Sequence, residues 1–341
     1  MLSALGDTVH VLPIVTALKR HAPGAHITWI LQPGPALLVE GHPTVDEVVR
    51  FDRQRGWRAF VALRRELLRR PPFDVVLALQ PYFKAGIITA MMRARVKLGF
   101  DVARARDLNW LFTTDRIAAR PQRHIQDQFF EFLDAIGVPH GEPEWGLAPT
   151  DEERARAQAL VAEAGAAPLV GFVVATSKPP KNWMPDRFGR LATRLQAAVG
   201  ARCVLLGDTS PIEQAAAAAI QAETTAQPIV ALGAGLRTTL ALLERCDVVV
   251  APDTGPFHMC VAMNVPAVGL FGYTNPKRVG PYRRFPDLLI DAYGDPGENY
   301  PVNMRYRPGR MERITVDMVV EKVRLALQRY PRESRTTAQP R

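Results

Sequence analysis

Short apolar runs alternate along most of the chain with longer segments in which apolar residues recur every three or four positions. The short runs predict buried strands and the longer segments predict helices, and this alternation is typical of α/β proteins with parallel sheets. The predicted strands lie at residues 26–31, 47–51, 74–80, 96–100, 169–176, 202–207, 229–232, 247–252 and 267–271. The predicted helices lie at residues 13–21, 58–70, 83–93, 124–137, 150–164, 185–199, 212–224, 238–245, 256–263 and 316–329.

A segment rich in proline and glycine at residues 141–149 predicts a linker between two domains, which a length of 341 residues also favours. We predict a doubly wound, Rossmann-like domain over residues 1–148, a second one over 149–330 and a frayed polar tail over 331–341. Thr150 and Glu153 have the spacing of a capping box that opens the first helix of the second domain. Ligands of such sheets bind at the carboxyl ends of the strands, so functional residues are expected in strand-to-helix turns.

The beginning of the chain predicts a strand-to-helix turn at residues 3–7, yet only Met1 and Leu2 precede it. A doubly wound domain is expected to have a central apolar strand in that place. Either this strand is missing because the start of the sequence is misassigned, which we favour, or the sheet is one strand short. A chain that lacks the strand is expected to be poorly stable.

Composition narrows the class of protein. Hydrophobic residues make up 47% and charged residues 23%, a balance typical of globular proteins. No apolar run approaches the roughly 18 residues that span a bilayer, and no secretory signal is readable. Cys203, Cys246 and Cys260 lie far apart, which predicts small buried residues in a reducing compartment rather than disulfides or a zinc site. We therefore expect a cytoplasmic protein.

The formal net charge of +9 predicts an anionic partner. Charge alone does not decide whether this partner is nucleic acid, a phosphorylated small molecule or a lipid surface. Between residues 50 and 70, eight arginines face only Asp52 and Glu66. The predicted helix there carries apolar residues on one side, namely Trp57, Phe60, Leu63 and Leu67. It could rest on anionic headgroups, or it could pack its apolar stripe on the sheet and solvate its charges. No nucleic-acid-binding motif is present, so nucleic acid is not expected as a partner.

The most informative segment lies between a buried strand and a helix that opens at Pro256. It contains Asp253, Thr254 and Gly255 in the turn, and His258 in the first helical turn. Free N–H groups at a helix N-terminus favour a phosphate, and glycine lets the backbone approach it closely. The alternative is an Asx-capped turn with a histidine in the core.

A second turn of this kind carries Thr176, Ser177 and Lys181 after a buried strand. Two hydroxyls and the two lysines, Lys178 and Lys181, could cradle a polyphosphate, although the alternative is a solvated basic loop. The spacing of a P-loop is absent, so a P-loop NTPase is excluded. Glu213, at the start of a later helix, could accept hydrogen bonds from a ribose diol or could simply cap that helix.

Gly6 and Asp7 end the predicted turn at the beginning of the chain. A carboxylate in this position is a candidate general base. It could equally be the N-cap of a helix that enters at Pro13, and the sequence does not separate the two.

Taken together, residues 3–13, 79–84, 253–258 and 270–276, with Gly280 and Pro281, resemble glycosyltransferase family 9, the ADP-heptose:lipopolysaccharide heptosyltransferases. The resemblance covers nearly the whole chain. It implies a glycosyltransferase-B architecture, in which two Rossmann-like domains face each other across a cleft. The acceptor would bind the N-terminal domain and the nucleotide sugar the C-terminal one. It also implies inverting transfer without a metal or cofactor, an ADP-heptose donor and an anionic glycolipid acceptor of the lipopolysaccharide core.

The resemblance also implies roles by position. Asp7, next to Gly6, matches the proposed base that deprotonates the acceptor hydroxyl. The loop that holds the donor diphosphate is matched by Thr176, Ser177 and Lys181, and a ribose-binding acid is matched by Glu213. The nucleotide-sugar turn is matched by Asp253, Thr254, Gly255 and His258. Where family members often have a glycine, residues 80–84 carry Pro81 and Tyr82, which are expected to reshape the acceptor side.

Two other classes of function remain open at this point. A nucleotide-sugar epimerase of the same fold would use the donor without an acceptor. A non-catalytic nucleotide-sugar-binding module would bind the donor and turn nothing over.

Overall fold

The structure is a computed structural model that describes residue 2 and residues 4–332. The chain divides into two compact units, Met1–Gly146 and Leu147–Arg341. Residues 141–149, predicted as the linker, contain no helix or strand. Of the predicted tail, all but Pro331 and Arg332 lies outside the described residues, as does the central strand expected ahead of residue 3. No helix among the described residues is long and apolar enough to cross a membrane.

The first unit is built on parallel strands that form two separate sheets within the described residues, one of β1 and β2 and one in the order β3-β4-β5. Its elements in chain order are α1 (Leu5–His21), β1 (Thr28–Leu31), α2 (Pro33–Val39), β2 (Glu47–Arg50), α3 (Trp57–Leu68), β3 (Phe73–Leu77), α4 (Phe83–Met91), β4 (Ala94–Gly99), β5 (Asp115–Arg116) and α5 (Ile125–Ala135). Short 3-10 turns lie at Arg53–Arg55 and Asn109–Phe112.

The predicted turn at residues 3–7 is wrong, because α1 already begins at Leu5. The N-cap is Ala4, so Gly6 and Asp7 lie in the first helical turn and the alternative of an N-cap at Asp7 is also wrong. The helix continues through Pro13, which the sequence had suggested as its start. An acidic side chain in the first turn suits the positive end of the helix dipole.

Backbone contacts of Leu2 place the N-terminus of α1 at the carboxyl ends of β1 and β3. The Leu2 carbonyl accepts a hydrogen bond from the N–H of Gln32, which follows β1. The Leu2 N–H donates to Oε1 of Gln80, which follows β3, at 2.8 Å. Asp7 therefore lies at the edge of this unit where parallel strands end, which is the edge that binds ligands in such sheets.

Helix α3 packs its apolar stripe on the first unit's core. Ala59, Leu63 and Leu67 are buried in one cluster with Ile30 and Val49 of β1 and β2. Trp57, predicted on the same side, is instead 71% exposed at the first residue of the helix. The predicted packing of the apolar stripe on the sheet is confirmed, and it leaves the arginines on the opposite face exposed. Contact of these arginines with anionic headgroups stays a prediction.

The second unit contains one six-stranded parallel sheet in the order β11-β10-β9-β6-β7-β8. Its elements are α6 (Asp151–Leu160), β6 (Leu169–Val173), α7 (Pro185–Val199), β7 (Arg202–Gly207), α8 (Pro211–Glu223), β8 (Ile229–Leu232), α9 (Leu236–Arg245), β9 (Val248–Pro252), α10 (Gly255–Ala262), β10 (Ala267–Phe271), α11 (Pro276–Val279), β11 (Leu289–Asp291) and α12 (Val316–Arg329). The chain runs outward from β6 through β7 and β8 and then returns to the other side of β6 as β9. This reversal creates a topological switch point between β6 and β9.

Helices cover both faces of this sheet. Side chains of α7, α8 and α12 form one core with Val170 and Phe172 of β6. On the other face, a Cβ at Gly269 of β10 would lie 2.9 Å from the ring of Phe257, so the missing side chain lets α10 pack close to the sheet. The three cysteines are buried, as predicted, and burial raises the pKa of the Cys203 thiol to about 12.

The sequence pattern located α7, β7, β8, β10 and α12 with the bounds that the structure shows, and the capping box of Thr150 and Glu153 is present. It missed α2, β5, α11 and β11. These elements have two to seven residues, so they are too short for apolar periodicity to stand out from the neighbouring turns.

Candidate active site

The polar turns predicted from the sequence meet at the switch point of the second unit. Strands β6 and β9 are parallel neighbours, with Val170 opposite Val248 and Phe172 opposite Val250. Because the register is constant, the loop that begins at Thr176 and the turn that contains Thr254 leave the sheet side by side. Two polar turns thus share the crevice in which ligands of open α/β sheets bind.

Lys181, Asp253 and His258 form one connected cluster there. The ammonium of Lys181 lies 2.6 Å from Oδ2 of Asp253 and 3.1 Å from its carbonyl oxygen. Nε2 of His258 donates to Oδ1 of the same carboxylate at 3.1 Å. His258 is buried, while Lys181 and Asp253 are partly buried. Both carboxylate oxygens are therefore engaged, and the cation of the first loop is anchored to the second turn.

Burial alone would raise the pKa of the Asp253 carboxyl, but the hydrogen bond from His258 and the charge of Lys181 outweigh it. Together these partners hold the pKa of Asp253 well below its usual range. A carboxyl whose pKa is lowered by folding stabilises the folded state at pH values above the pKa of an unfolded aspartate. This stabilisation is lost as the pH falls through the pKa of the folded state. The Asp253 carboxyl is therefore a carboxylate at neutral pH, and the stability that its contacts contribute is lost only as pH falls below the usual range of an aspartate.

Helix α10 begins at this cluster. Thr254 is its N-cap, and the Thr254 hydroxyl accepts a hydrogen bond from the Phe257 N–H at 3.4 Å. Gly255 is the first helical residue and Pro256 the second, a position where the missing N–H of proline costs little. The positive end of the helix dipole and the Lys181 ammonium therefore favour an anion at the same place.

The loop at residues 176–182 is closed by hydrogen bonds that the sequence did not reveal. The Thr176 N–H donates to Oδ1 of Asn182 at 2.7 Å, and the Thr176 hydroxyl donates to the Lys178 carbonyl at 2.9 Å. Ser177 lies exposed between them. Asn182 follows a short 3-10 turn, Pro179–Lys181, and thus shapes the loop that carries Lys181.

A stacked pair of tyrosines also borders this loop and was missed by the sequence analysis. The rings of Tyr273, after β10, and Tyr306 stack with centroids 4.9 Å apart. The ammonium of Lys178 lies over the Tyr306 ring, 5.6 Å from its centroid. The signal was the density of tyrosine and arginine between residues 293 and 313, which no predicted element had claimed.

Glu213 lies in the first turn of α8, the helix that follows β7. Its Oε1 accepts a hydrogen bond from the Asp208 N–H at 3.0 Å, and its Oε2 accepts one from the Ser210 hydroxyl. Ser210 is the N-cap of α8, so Glu213 closes the helix start as a cap. Glu213 thus caps α8, which is the alternative that the sequence left open, and its role in binding a ribose stays a prediction.

Gly6 and Asp7 belong to the first unit, where Asp7 is partly buried in the opening turn of α1. One turn along the helix, Nδ1 of His10 lies 3.3 Å from Oε1 of Gln126 on α5, so His10 belongs to the contact between these helices. The chemistry available to Asp7 is that of a carboxylate at a helix N-terminus on the ligand-binding edge of its sheets. Its role as base stays a prediction.

No group of three or more histidine, cysteine, aspartate or glutamate side chains in the part of the chain that the structure describes could hold a metal ion. The groups of this site that favour a diphosphate include the Lys181 ammonium, which Asp253 holds in place, and the N-terminus of α10.

Comparison with known proteins identifies the family. The sequence model of glycosyltransferase family 9 (heptosyltransferase) matches residues 60–289, which is most of the chain. The chain belongs to glycosyltransferase family 9. The family expectation drawn from the motifs is thereby confirmed, and the protein is a glycosyltransferase.

Similarity to individual members of family 9 in sequence and in structure agrees with this assignment. The lipopolysaccharide core heptosyltransferase OpsX of Haemophilus influenzae is 28% identical over 293 residues, which cover 86% of this chain and 83% of that protein. A family 9 glycosyltransferase of Veillonella parvula superposes with a TM-score of 0.80 at 24% identity, covering 96% of each chain. The Escherichia coli heptosyltransferase WaaC with ADP superposes with a TM-score of 0.73 at 21% identity, covering 95% of this chain and 98% of that one. These structural likenesses confirm the predicted glycosyltransferase-B fold.

Proposed function

We propose that this glycosyltransferase transfers a heptose from ADP-heptose to the lipopolysaccharide core or a similar glycolipid. The observation that carries the proposal is the cluster of Lys181, Asp253 and His258 beside the N-terminus of α10, which suits the diphosphate of a nucleotide sugar. Family membership supports sugar transfer, and WaaC, a relative in fold, has been solved with ADP. The nucleotide sugar would bind the second unit and the acceptor the first.

In the proposed inverting reaction, Asp7 takes the proton of the acceptor hydroxyl as its oxygen attacks the anomeric carbon. The new C–O bond forms while the bond from the anomeric carbon to the diphosphate oxygen breaks, and ADP leaves with the electron pair. A sugar hydroxyl is a weak nucleophile, so a carboxylate within hydrogen-bonding distance assists it. Lys181 and the α10 N-terminus stabilise the charge that develops on the leaving diphosphate.

A thermal-shift screen tests the donor assignment. ADP-sugars are expected to raise the melting temperature by several degrees and to do so more than UDP-, GDP- or dTDP-sugars, because a ligand that binds only the folded state stabilises it. The variant Lys181→Met is expected to lose most of this shift. A larger shift with another nucleotide sugar, or an equal shift in the variant, would contradict the assignment.

Product analysis separates the transferase from the two other classes of function. Incubation with ADP-heptose and acceptor is expected to give a glycosylated acceptor and ADP, whereas donor alone stays unchanged. Epimerised sugar from donor alone would identify an isomerase. Binding of the donor without turnover of any donor–acceptor pair would identify a non-catalytic module.

We further propose that the protein acts at the cytoplasmic face of the inner membrane and that α3 contributes to its attachment. Arg58, Arg64 and Arg65 are exposed on this helix, whose apolar stripe is occupied by the core. The helix would therefore attract anionic headgroups through charge rather than insertion.

Binding to phosphatidylglycerol-containing vesicles is expected to weaken when salt rises from about 0.05 M to about 0.5 M, because exposed charges are screened. Replacing Arg64 and Arg65 with glutamine is expected to lower the affinity roughly fivefold for each arginine. Vesicle sedimentation measures both effects, with phosphatidylcholine vesicles as the control. Affinity that is unchanged in the glutamine variants would remove α3 from the membrane proposal.

A further inference from the structure

Two segments of the first unit expose large apolar side chains next to each other. At the beginning of α4, Tyr82 is 42% and Phe83 44% exposed. At the 3-10 turn after β4, the N-cap Leu108 is 58% exposed and Leu111, within the turn, is 57% exposed. We call these four side chains the Leu108 patch. They lie beyond the carboxyl ends of β3 and β4, at the edge where the Leu2 contacts also place the start of α1.

Hydrogen bonds and ring contacts fix the two segments to each other. The Arg106 N–H donates to the Pro81 carbonyl at 2.7 Å, and Nδ2 of Asn109 donates to the Tyr82 carbonyl at 2.8 Å. The rings of Phe83 and Phe112 meet edge to face with centroids 5.4 Å apart. The two segments that carry the exposed side chains are therefore held together by hydrogen bonds and a ring contact. Their side chains form one surface and are not the tips of independent loops.

The backbone under the patch is strained. Asp107 and Leu108 both have positive φ angles, 49° and 58°, and Leu108 is in the left-handed helical region. This region disfavours residues with a Cβ, and leucine gains no local hydrogen bond there as asparagine or aspartate would. A leucine that is both strained and exposed contributes little to folding, and strain of this kind is characteristic of functional surfaces.

Cations border the patch. Lys84 follows Phe83, Arg106 precedes Leu108 by two residues, and the Arg116 guanidinium lies over the Trp110 ring, 5.4 Å from its centroid. Exposed acids on the same segments are Asp107 and Asp115, so the border carries more positive than negative charge. Exposed leucines, interfacial aromatic rings and cations together match the boundary between acyl chains and anionic headgroups.

We propose that the Leu108 patch is a membrane-docking surface that places Leu108 and Leu111 at the headgroup–acyl boundary of an anionic bilayer. A protein partner fits less well, because four side chains fall far short of the roughly 20–30 residues per side of a stable interface. Docking here would bring the Asp7 edge of the sheets toward a membrane-embedded acceptor. That use of the surface rests on the proposed function, whereas vesicle binding itself does not.

The test is vesicle flotation of the full chain with the variant Leu108→Asn. Asparagine suits the left-handed conformation, so the melting temperature is expected to stay the same or rise, while affinity for phosphatidylglycerol-containing vesicles falls about tenfold. Adding Leu111→Gln is expected to lower it about tenfold again. The matched control is Leu160→Asn on α6, where a leucine that is 43% exposed is expected to have no effect.

Several results would overturn the proposal. One is wild-type protein that binds none of the vesicles, and another is equal affinity of the wild type for anionic and purely zwitterionic vesicles. The proposal also fails if Leu108→Asn binds anionic vesicles as the wild type does, or if Leu160→Asn loses as much affinity as Leu108→Asn. If α3 alone carried membrane binding, Leu108→Asn would bind as wild type does. Failure of the proposed function is seen separately, as loss of the ADP-sugar thermal shift in a protein whose patch-dependent flotation is intact.

Discussion

Replacing Asp7 with asparagine is expected to lower kcat for sugar transfer about 10²- to 10⁴-fold, the contribution typical of a general base. The amide has nearly the same shape as the carboxylate but cannot take the proton of the acceptor hydroxyl. Loss of the negative charge at the start of α1 costs only about 0.3–1 kcal/mol of stability, so the fold is expected to persist. Donor affinity, measured by calorimetry with ADP-heptose, is expected to be unchanged.

The matched control for this variant is Asp74→Asn, because Asp74 is an exposed carboxylate on β3 of the same unit. Its rate and donor affinity are expected to equal those of the wild type. A role for Asp7 in donor binding alone would produce the opposite result in the Asp7→Asn variant. Affinity would then fall, while the single-turnover rate of the bound complex stayed the same.

The second large effect is expected at Lys181. Replacing it with methionine keeps most of the side chain's volume and removes the charge that the Asp253 contact holds beside the α10 N-terminus. We expect kcat/KM to fall about 10²- to 10³-fold, as when a group that stabilises developing negative charge is removed from an active site. Steady-state kinetics at varied donor concentration measures the loss in kcat/KM. The thermal shift with ADP-heptose measures the loss in donor binding.

Two further variants show whether charge or geometry is lost. Lys181→Arg restores the charge, but its planar guanidinium differs in shape from a compact ammonium, so partial recovery is expected. The matched control is Lys178→Met, since Lys178 belongs to the same loop but its ammonium lies over the Tyr306 ring. A loss in Lys178→Met as large as in Lys181→Met would contradict the assignment of the diphosphate to Lys181.

Most strands and long helices of the second unit were predicted from the sequence, because its central strands β6, β9 and β10 are buried on both faces. Continuous apolar runs such as those of β7 and β10 lie between helices with clear periodicity, so local pattern and tertiary environment agree. Prediction failed where local signals compete. Pro13 suggested the start of a helix that begins at Leu5, and the contacts of Leu2 with Gln32 and Gln80 that hold this start are far apart in sequence.

The site residues also fall into those that the sequence predicted and those whose contacts only the structure showed. Thr254 and Gly255 were recognisable because a strand, a glycine and a proline in that order make a local turn whose N–H groups favour an anion. Glu213 shows the limit of such reasoning, because the carboxylate suggested for ribose binding closes the start of α8 in this structure. A side chain that suits a ligand also suits its own helix, and only coordinates show which contact is made.

The sequence by itself determined the alternation of strands and helices and the polar turns at their junctions, because periodicity and turn chemistry depend on near neighbours along the chain. Its motifs also carried the resemblance to glycosyltransferase family 9, which the family model confirmed. Only the tertiary structure decided that Lys181 pairs with Asp253, and that Leu108 and Tyr82 share one exposed surface. These contacts follow from strand order and register, since residues far apart in the chain become neighbours only when parallel strands bring their ends to one edge of a sheet.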